Sequence, residues 1–180
     1  MLDEKYKLTE RETNHYLDLT GNKYLTVADK NGASPLTGKD KITIIYDSYH
    51  LGNGAAWAFY ADRDTNINGS LYCLGIREDW NRVDRFASER EIDDASLTVS
   101  TNPLPTKTWK KMAVVVDATS VTVYQDGVEV GRTEKNTVAS LSSILGNESV
   151  LYIGKSNYEN EYYNGFIDNF QIYDGALTAE

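Results

Sequence analysis

The chain has 180 residues, enough for one domain with its own core, and carries 27 Asp and Glu against 18 Lys and Arg, a formal charge of −9. That acidic balance lacks the bulk cationic excess that binding to nucleic acid or to an anionic membrane surface requires. Cys73 is the only cysteine, which excludes an internal disulfide and a cysteine-built zinc site, and no apolar run approaches the length of a membrane span.

The first dozen residues, MLDEKYKLTERE, are charged and weakly patterned and read as a tail or as an edge strand. Beyond them, period-two alternation of apolar side chains recurs along the whole chain. It predicts strands over residues 15–19, 23–27, 41–49, 55–62 and 70–77, then 96–100, 109–118, 120–126, 128–133, 149–156 and 163–174. The joints hold turn residues, among them Thr20-Gly21-Asn22, Gly52-Asn53-Gly54 and Asn68-Gly69. Asp126-Gly127 between two alternating runs is the clearest hairpin signal. Residues 138–146 alone read as a short helix, closed by Gly146. Many short strands with almost no helix predict an all-β, two-sheet antiparallel β-sandwich of jelly-roll type, a single domain over 1–180. No basic and apolar leader precedes it, so the chain reads as a module excised from a longer protein.

Thirteen tyrosines against four phenylalanines suit half-buried strands and wet binding faces, because tyrosine joins an apolar body to a polar tip. Of the three tryptophans, Trp109 opens a long apolar strand and reads as core. Trp57 alternates in phase with Phe59, facing the core, which leaves Ala56, Ala58 and Tyr60 on the opposite face. Trp80 falls in GIREDWNRVDRF, a polar stretch with Arg77, Asp79, Arg82, Asp84 and Arg85, and reads as a loop residue on a binding surface or as a lid folded on the core. Arginines there can receive a ligand carboxylate or pair with the adjacent aspartates. Tyr158 and Tyr162 lie in a second polar stretch, SNYENEYYNG, before the last strand. Sugar recognition needs flat apolar faces with hydrogen-bonding groups beside them, so the candidate ligand-binding set is Trp80, Arg77, Arg82, Tyr60, Tyr158 and Tyr162. His15 and His50, the only histidines, read as surface residues outside any nucleophile motif. Asp62, Asp64 and Asn66 alternate as at the start of a calcium loop, but Ile67 and Cys73 stand where such a loop needs Gly and Glu. An Asx-rich turn accounts for them.

Several segments, taken in order, resemble the laminin-G-like, concanavalin A-like jelly roll that occurs as an accessory module on bacterial glycoside hydrolases. YYNGFIDNFQIYDGALTAE resembles its closing strand, and TWKKMAVVVDATSVTVYQDGVEV its tryptophan-led strand and the hairpin after it. YLDLTGNKYLTV, LTGKDKITIIYDSY and LYIGKS match its opening strands and its penultimate one, with Tyr46 standing where a tryptophan is usual. The resemblance implies a non-catalytic module that holds a polysaccharide or oligosaccharide for a covalently linked hydrolase, in a secreted or cell-surface bacterial parent. It is similar to the modules on arabinose- and xylose-releasing enzymes. The alternative is a structural or protein-interaction domain packed against a neighbouring catalytic domain. The resemblance also implies a structural calcium near the first and last strands, at Asp18, Asn22 and Asp168, where capping of turns or pairing with basic neighbours is the competing account. Related glycanases carry Glu-x-Asp-x-(x)-Glu on one strand face. Here Glu91 and Asp93 fit its opening, but Ala95 and Ser96 occupy both places for the second Glu, so no enzyme is expected.

Overall fold

A computed structural model describes residues 8–11, 14–52, 55–63, 72–80, 82–87, 97–100 and 104–178. The alternating runs form β1 (Leu8–Arg11), β2 (Asn14–Asp18), β3 (Leu25–Val27), β4 (Ile42–His50), β5 (Trp57–Asp62) and β6 (Tyr72–Arg77). A one-turn 3-10 helix (Glu78–Trp80) leads to β7 (Arg82–Ala87), β8 (Leu97–Ser100), β9 (Lys110–Val116), β10 (Ser120–Gln125) and β11 (Val128–Glu134). Helix α1 (Leu141–Leu145), β12 (Val150–Ile153) and β13 (Gly165–Asp174) complete the described chain. A seven-stranded sheet runs β1-β2-β13-β4-β9-β10-β11 and a six-stranded sheet β3-β12-β5-β6-β7-β8, forming the two layers of the expected jelly-roll sandwich.

Alternation decides what lies between the layers. Ile42, Ile44 and Tyr46 of β4 and Met112, Val114 and Val116 of β9 point inward, against Phe59, Ala61, Leu74, Ile76, Leu151 and Ile153 of the other sheet. Tyr46 is fully buried, edge-on to Phe59 at 6.2 Å and stacked on Phe170 at 5.8 Å. The Asp126-Gly127 turn forms as read, with φ of 51° and 81°, the left-handed pair that a two-residue type I′ hairpin needs. Helix α1 is shorter than 138–146 but closes as expected. Ser140 accepts the Ser143 N–H at its start, and Gly146 takes a φ of 63° at its end.

One open alternative is resolved and three local expectations change. Residues 8–11 take the edge-strand alternative, pairing antiparallel with β2. The polar stretch read as a loop around Trp80 contains a strand, because β7 is hydrogen-bonded on both sides, with Val83 opposite the buried Ile76 and Val99. Trp109 lies outside the core. It is half-buried on the outer face of the seven-stranded sheet, 5.9 Å from the Tyr16 ring and 5.5 Å from that of Tyr49. His50 is buried rather than on the surface, since it ends β4 on the inward phase, 5.5 Å from Tyr163. His15 is exposed and Cys73 buried, as read.

Candidate functional site

The outer face of the six-stranded sheet is built around Trp57. In β5, Trp57 pairs with Arg77 and Phe59 with Ile76, so Ala58 is an extra residue, a bulge. The bulge turns Trp57 from the core phase onto the face of Tyr60, where the rings meet edge-to-face at 4.8 Å. Both lie across Gly75 of β6, where a Cβ would stand 2.7 Å from the Tyr60 ring and 2.9 Å from the Trp57 ring, so only glycine lets them lie down. Cys73 completes this buried cluster, and Tyr158 stacks on Trp57 at 6.4 Å and 10°.

Charged groups frame the cluster. The Trp57 indole N–H donates to Glu161 Oε2 at 2.6 Å. Arg77 donates from Nε to Asp79 Oδ1 at 3.0 Å, from Nη2 to Asp79 Oδ2 at 3.2 Å and from Nη1 to Glu161 Oε1 at 3.0 Å. Its guanidinium lies 3.6 Å from the Trp80 ring centroid, a cation–π contact that supports the indole from below. Trp80 itself is 54% exposed, which makes it the most accessible aromatic ring on this face among the described residues.

The 3-10 turn bearing Asp79 and Trp80 is anchored from beneath. Glu78 is buried and accepts from Tyr46 Oη at 3.1 Å, Ser48 Oγ at 2.9 Å and Lys110 Nζ at 3.2 Å. Lys110 also donates to the Pro105 carbonyl at 2.9 Å, and Ser48 Oγ lies 2.7 Å from Tyr163 Oη. Burial, with the Glu78 charge added, pushes the Tyr46 and Tyr163 phenols well above the usual range. Burial holds His50 below the ordinary histidine value, and the Lys110 charge adds to this.

Beside this cluster, Tyr24, Tyr152 and Tyr162 form a second aromatic group, with ring separations of 6.0 and 6.3 Å from Tyr24. Lys155 Nζ sits 4.5 Å from the Tyr24 centroid and 4.4 Å from that of Tyr152, and burial lowers its pKa. A cleft of about 330 Å³ opens between the loops, lined by Gly21, Asn22, Ala55, Asn160, Tyr162, Tyr163 and Asn164. Asn22 and Asn160 have φ of 64° and 61°, a conformation asparagine tolerates well.

Arg77, Tyr60 and Tyr158 thus meet around Trp57 from three segments, Trp80 lies on Arg77, and Tyr162 lines the adjoining cleft. Arg82 stands opposite Arg77 on β7; its side chain lies outside the described residues. Two roles change. Tyr60 is wholly buried, its phenol pushed well up chiefly by burial, so it buttresses Trp57 and reaches no ligand. Arg77 is 8% exposed with its guanidinium on Asp79 and Glu161, so it cannot receive a ligand carboxylate while those pairs stand. Glu161, Tyr24, Tyr152, Lys155, Asn160 and Asn164 were not singled out from the sequence. The dense Asx and tyrosine content of residues 156–165 was the signal available for three of them.

The residues implied for calcium do not fit one. Asp18 Oδ1 accepts from Thr20 N at 2.9 Å and Thr20 Oγ1 at 2.6 Å, and Oδ2 from Lys23 Nζ at 3.2 Å, which puts an ammonium where a cation would stand. Burial alone would raise its carboxyl; these contacts outweigh burial and leave it lowered. Asn22 belongs to the cleft, and Asp168 accepts from the Asn169 N–H at 2.8 Å. Among the described residues no three His, Cys, Asp or Glu side chains are grouped to hold a metal. Glu91, Asp93, Asp64 and Asn66 lie outside the described residues.

On the opposite side of the sandwich, Tyr16, Tyr49, Trp109 and Phe166 form a half-buried aromatic cluster on the seven-stranded sheet. A groove of about 250 Å³ on the same sheet is lined by Thr43, Ile45, Ala113, Val115, Tyr124 and Leu177, among others. Leu177 and Tyr173 are 45% and 40% exposed.

A family model described as the concanavalin A-like lectin/glucanases superfamily matches residues 19–180. Among solved structures, domain 4 of AbnA, an extracellular arabinanase from Geobacillus stearothermophilus in complex with arabinotriose, is 19% identical, with a TM-score of 0.71 over 97% of this chain and 76% of that one. The Ruminococcus gnavus sialidase module CBM40, bound to α2,3 sialyllactose, is 14% identical, with a TM-score of 0.72 over 91% of each chain. A pentraxin from Limulus polyphemus is 14% identical with a TM-score of 0.55, covering 87% of this chain and 77% of that one. These likenesses establish a shared fold. No curated protein matches the sequence, and no helix among the described residues is long and apolar enough to cross a membrane.

Proposed function

The chain belongs to the concanavalin A-like lectin/glucanases superfamily, and on that premise we propose that it is a non-catalytic carbohydrate-binding module. The observation that carries the reading is Trp80, an exposed indole held flat on a guanidinium that is itself locked by two carboxylates. Such a ring presents a fixed apolar face to the CH surface of a sugar, and a cleft lined by amides and a phenol opens on the same side. Two structural neighbours were solved with oligosaccharides bound, arabinotriose in one and sialyllactose in the other, which supports the same use of the fold here. Asp79 and Glu161 are both engaged by Arg77, and Glu78 is buried against Lys110, which suits a binding surface better than an acid and base flanking a bond. In a secreted parent the module would raise the local concentration of a covalently linked hydrolase on its polysaccharide, a task that weak affinity serves.

A second reading has its own observation. The aromatic cluster and groove on the seven-stranded sheet present apolar surface away from the loops, as a domain packed against a catalytic neighbour would. A glycan array and polysaccharide pull-down with the intact chain and its Trp80→Ala variant separates the two. Binding that Trp80→Ala abolishes supports the sugar module. A folded protein that retains no glycan transfers the function to the other sheet.

A further inference from the structure

We infer that the site takes a neutral oligosaccharide and discriminates against acidic ones; this rests on the carbohydrate-binding reading and narrows its ligand class. The sequence alone allowed the arginines around Trp80 to receive the carboxylate of a uronic or sialic acid. The structure assigns Arg77 elsewhere. All three nitrogens of its guanidinium donate to Asp79 or Glu161, and the indole of Trp80 covers one face. The Arg77 side chain is only one-tenth exposed, so an incoming ligand carboxylate would compete with protein carboxylates that are themselves one-fifth to one-quarter exposed, at the cost of crowding like charges around one buried guanidinium. Asp79 and Glu161 both carry a carboxylate beside the one Arg77 guanidinium.

The cleft has the matching chemistry. Asn22, Asn160 and Asn164 each offer an N–H₂ donor beside a carbonyl acceptor, and the Tyr162 phenol both donates and accepts. Sugar hydroxyls have the same double character, whereas a carboxylate needs donors alone. Asn22 and Asn160 are exposed and Asn164 is half-buried, so these amides are accessible. Gly21 leaves the backbone beside them open, with no atom within 4 Å of where a Cβ would stand.

Lys155 is a cation that argues the other way, but its ammonium already rests between the Tyr24 and Tyr152 rings, and burial lowers its pKa. Its aromatic contacts make it part of the platform that faces the ring of a sugar, not a free receptor for an anion.

The test is calorimetric titration of the whole chain with neutral trisaccharides (arabinotriose, xylotriose, cellotriose) and with acidic ones (3′-sialyllactose, trigalacturonate), at low and high salt. Neutral ligands are expected to bind with little salt dependence, and acidic ones at least about tenfold more weakly. Asn160→Ala and Tyr162→Ala should each weaken neutral binding by roughly tenfold, the effect of losing one or two hydrogen bonds. Glu161→Gln, which removes one negative charge and loosens one arm of Arg77, should narrow the gap between the two classes. Tighter binding of an acidic glycan, abolished by Lys155→Met, would overturn this inference while leaving the sugar-binding function intact. Failure of every glycan to bind a folded chain would remove the function and the inference together. Neutral binding that ignores both Asn160→Ala and Tyr162→Ala would also overturn the assignment of the cleft.

Discussion

Lys110→Met tests the buried network that holds the Trp80 turn in place. In the intact protein the Lys110 and Glu78 side chains are 1% and 0% exposed and 3.2 Å apart. Methionine keeps most of the lysine's volume but removes its charge, leaving the Glu78 carboxylate with only the hydroxyls of Tyr46 and Ser48. Stranding one member of a buried pair costs about 3–5 kcal/mol. With a urea slope of about 2–3 kcal/mol/M for a chain of this size, the midpoint should fall by about 1–2 M. Neutralising both partners in Glu78→Gln/Lys110→Met removes the stranded charge, so the double variant should recover about 2 kcal/mol relative to the sum of the single losses. Urea unfolding followed by tryptophan fluorescence measures both, and Trp80 reports on the turn that Glu78 begins. A Lys110→Met loss below about 1 kcal/mol, or strict additivity in the double variant, would refute the claim that this pair is desolvated and coupled.

Gly165→Ala should unfold the protein or cost several kcal/mol, because its Cβ would stand 2.2 Å from the Tyr49 carbonyl oxygen, a backbone atom that cannot step aside. Gly127→Ala, with φ of 81° and no atom within 4 Å of the new carbon, should cost only about 1 kcal/mol of backbone strain; thermal melts of the pair check the contrast. His50 has a folded pKa below its unfolded one, so the unfolded chain binds the extra proton first. Its contribution to stability is complete above the unfolded value near 6.5 and is lost as pH falls through the folded value. Stability measured from pH 7.5 down to 5 should therefore decline less steeply in His50→Leu than in the parent; equal slopes would show that another group carries the dependence. Chelator should leave the melting temperature unchanged, given that Lys23 occupies Asp18. A stabilisation by calcium that disappears in Asp18→Asn would restore the metal site.

Sequence alone was enough for the architecture, since period-two alternation and turn chemistry are local. The Asp126-Gly127 hairpin, the Gly146 helix stop and the inward rows of β4 and β9 all follow from residues within a few positions of one another. Part of the candidate site was legible too, because Trp80, Tyr158 and Tyr162 stand out as aromatic residues in polar stretches. What the tertiary structure decided was phase, depth and partnership. One extra residue at Ala58 moved Trp57 to the other side of a sheet, and the period-two rule cannot see a bulge that the neighbouring strand imposes. Trp109 and His50 exchanged their expected places because an aromatic can face outward where Tyr16, Tyr49 and Phe166 surround it, and a histidine inward where Tyr163 covers it. For Arg77 the sequence offered a ligand or the adjacent aspartates; the fold chose Asp79 and added Glu161, 84 positions away. Whether a charge is open to a ligand is set by what closes over it, and in an antiparallel sandwich that group comes from strands and loops distant in sequence.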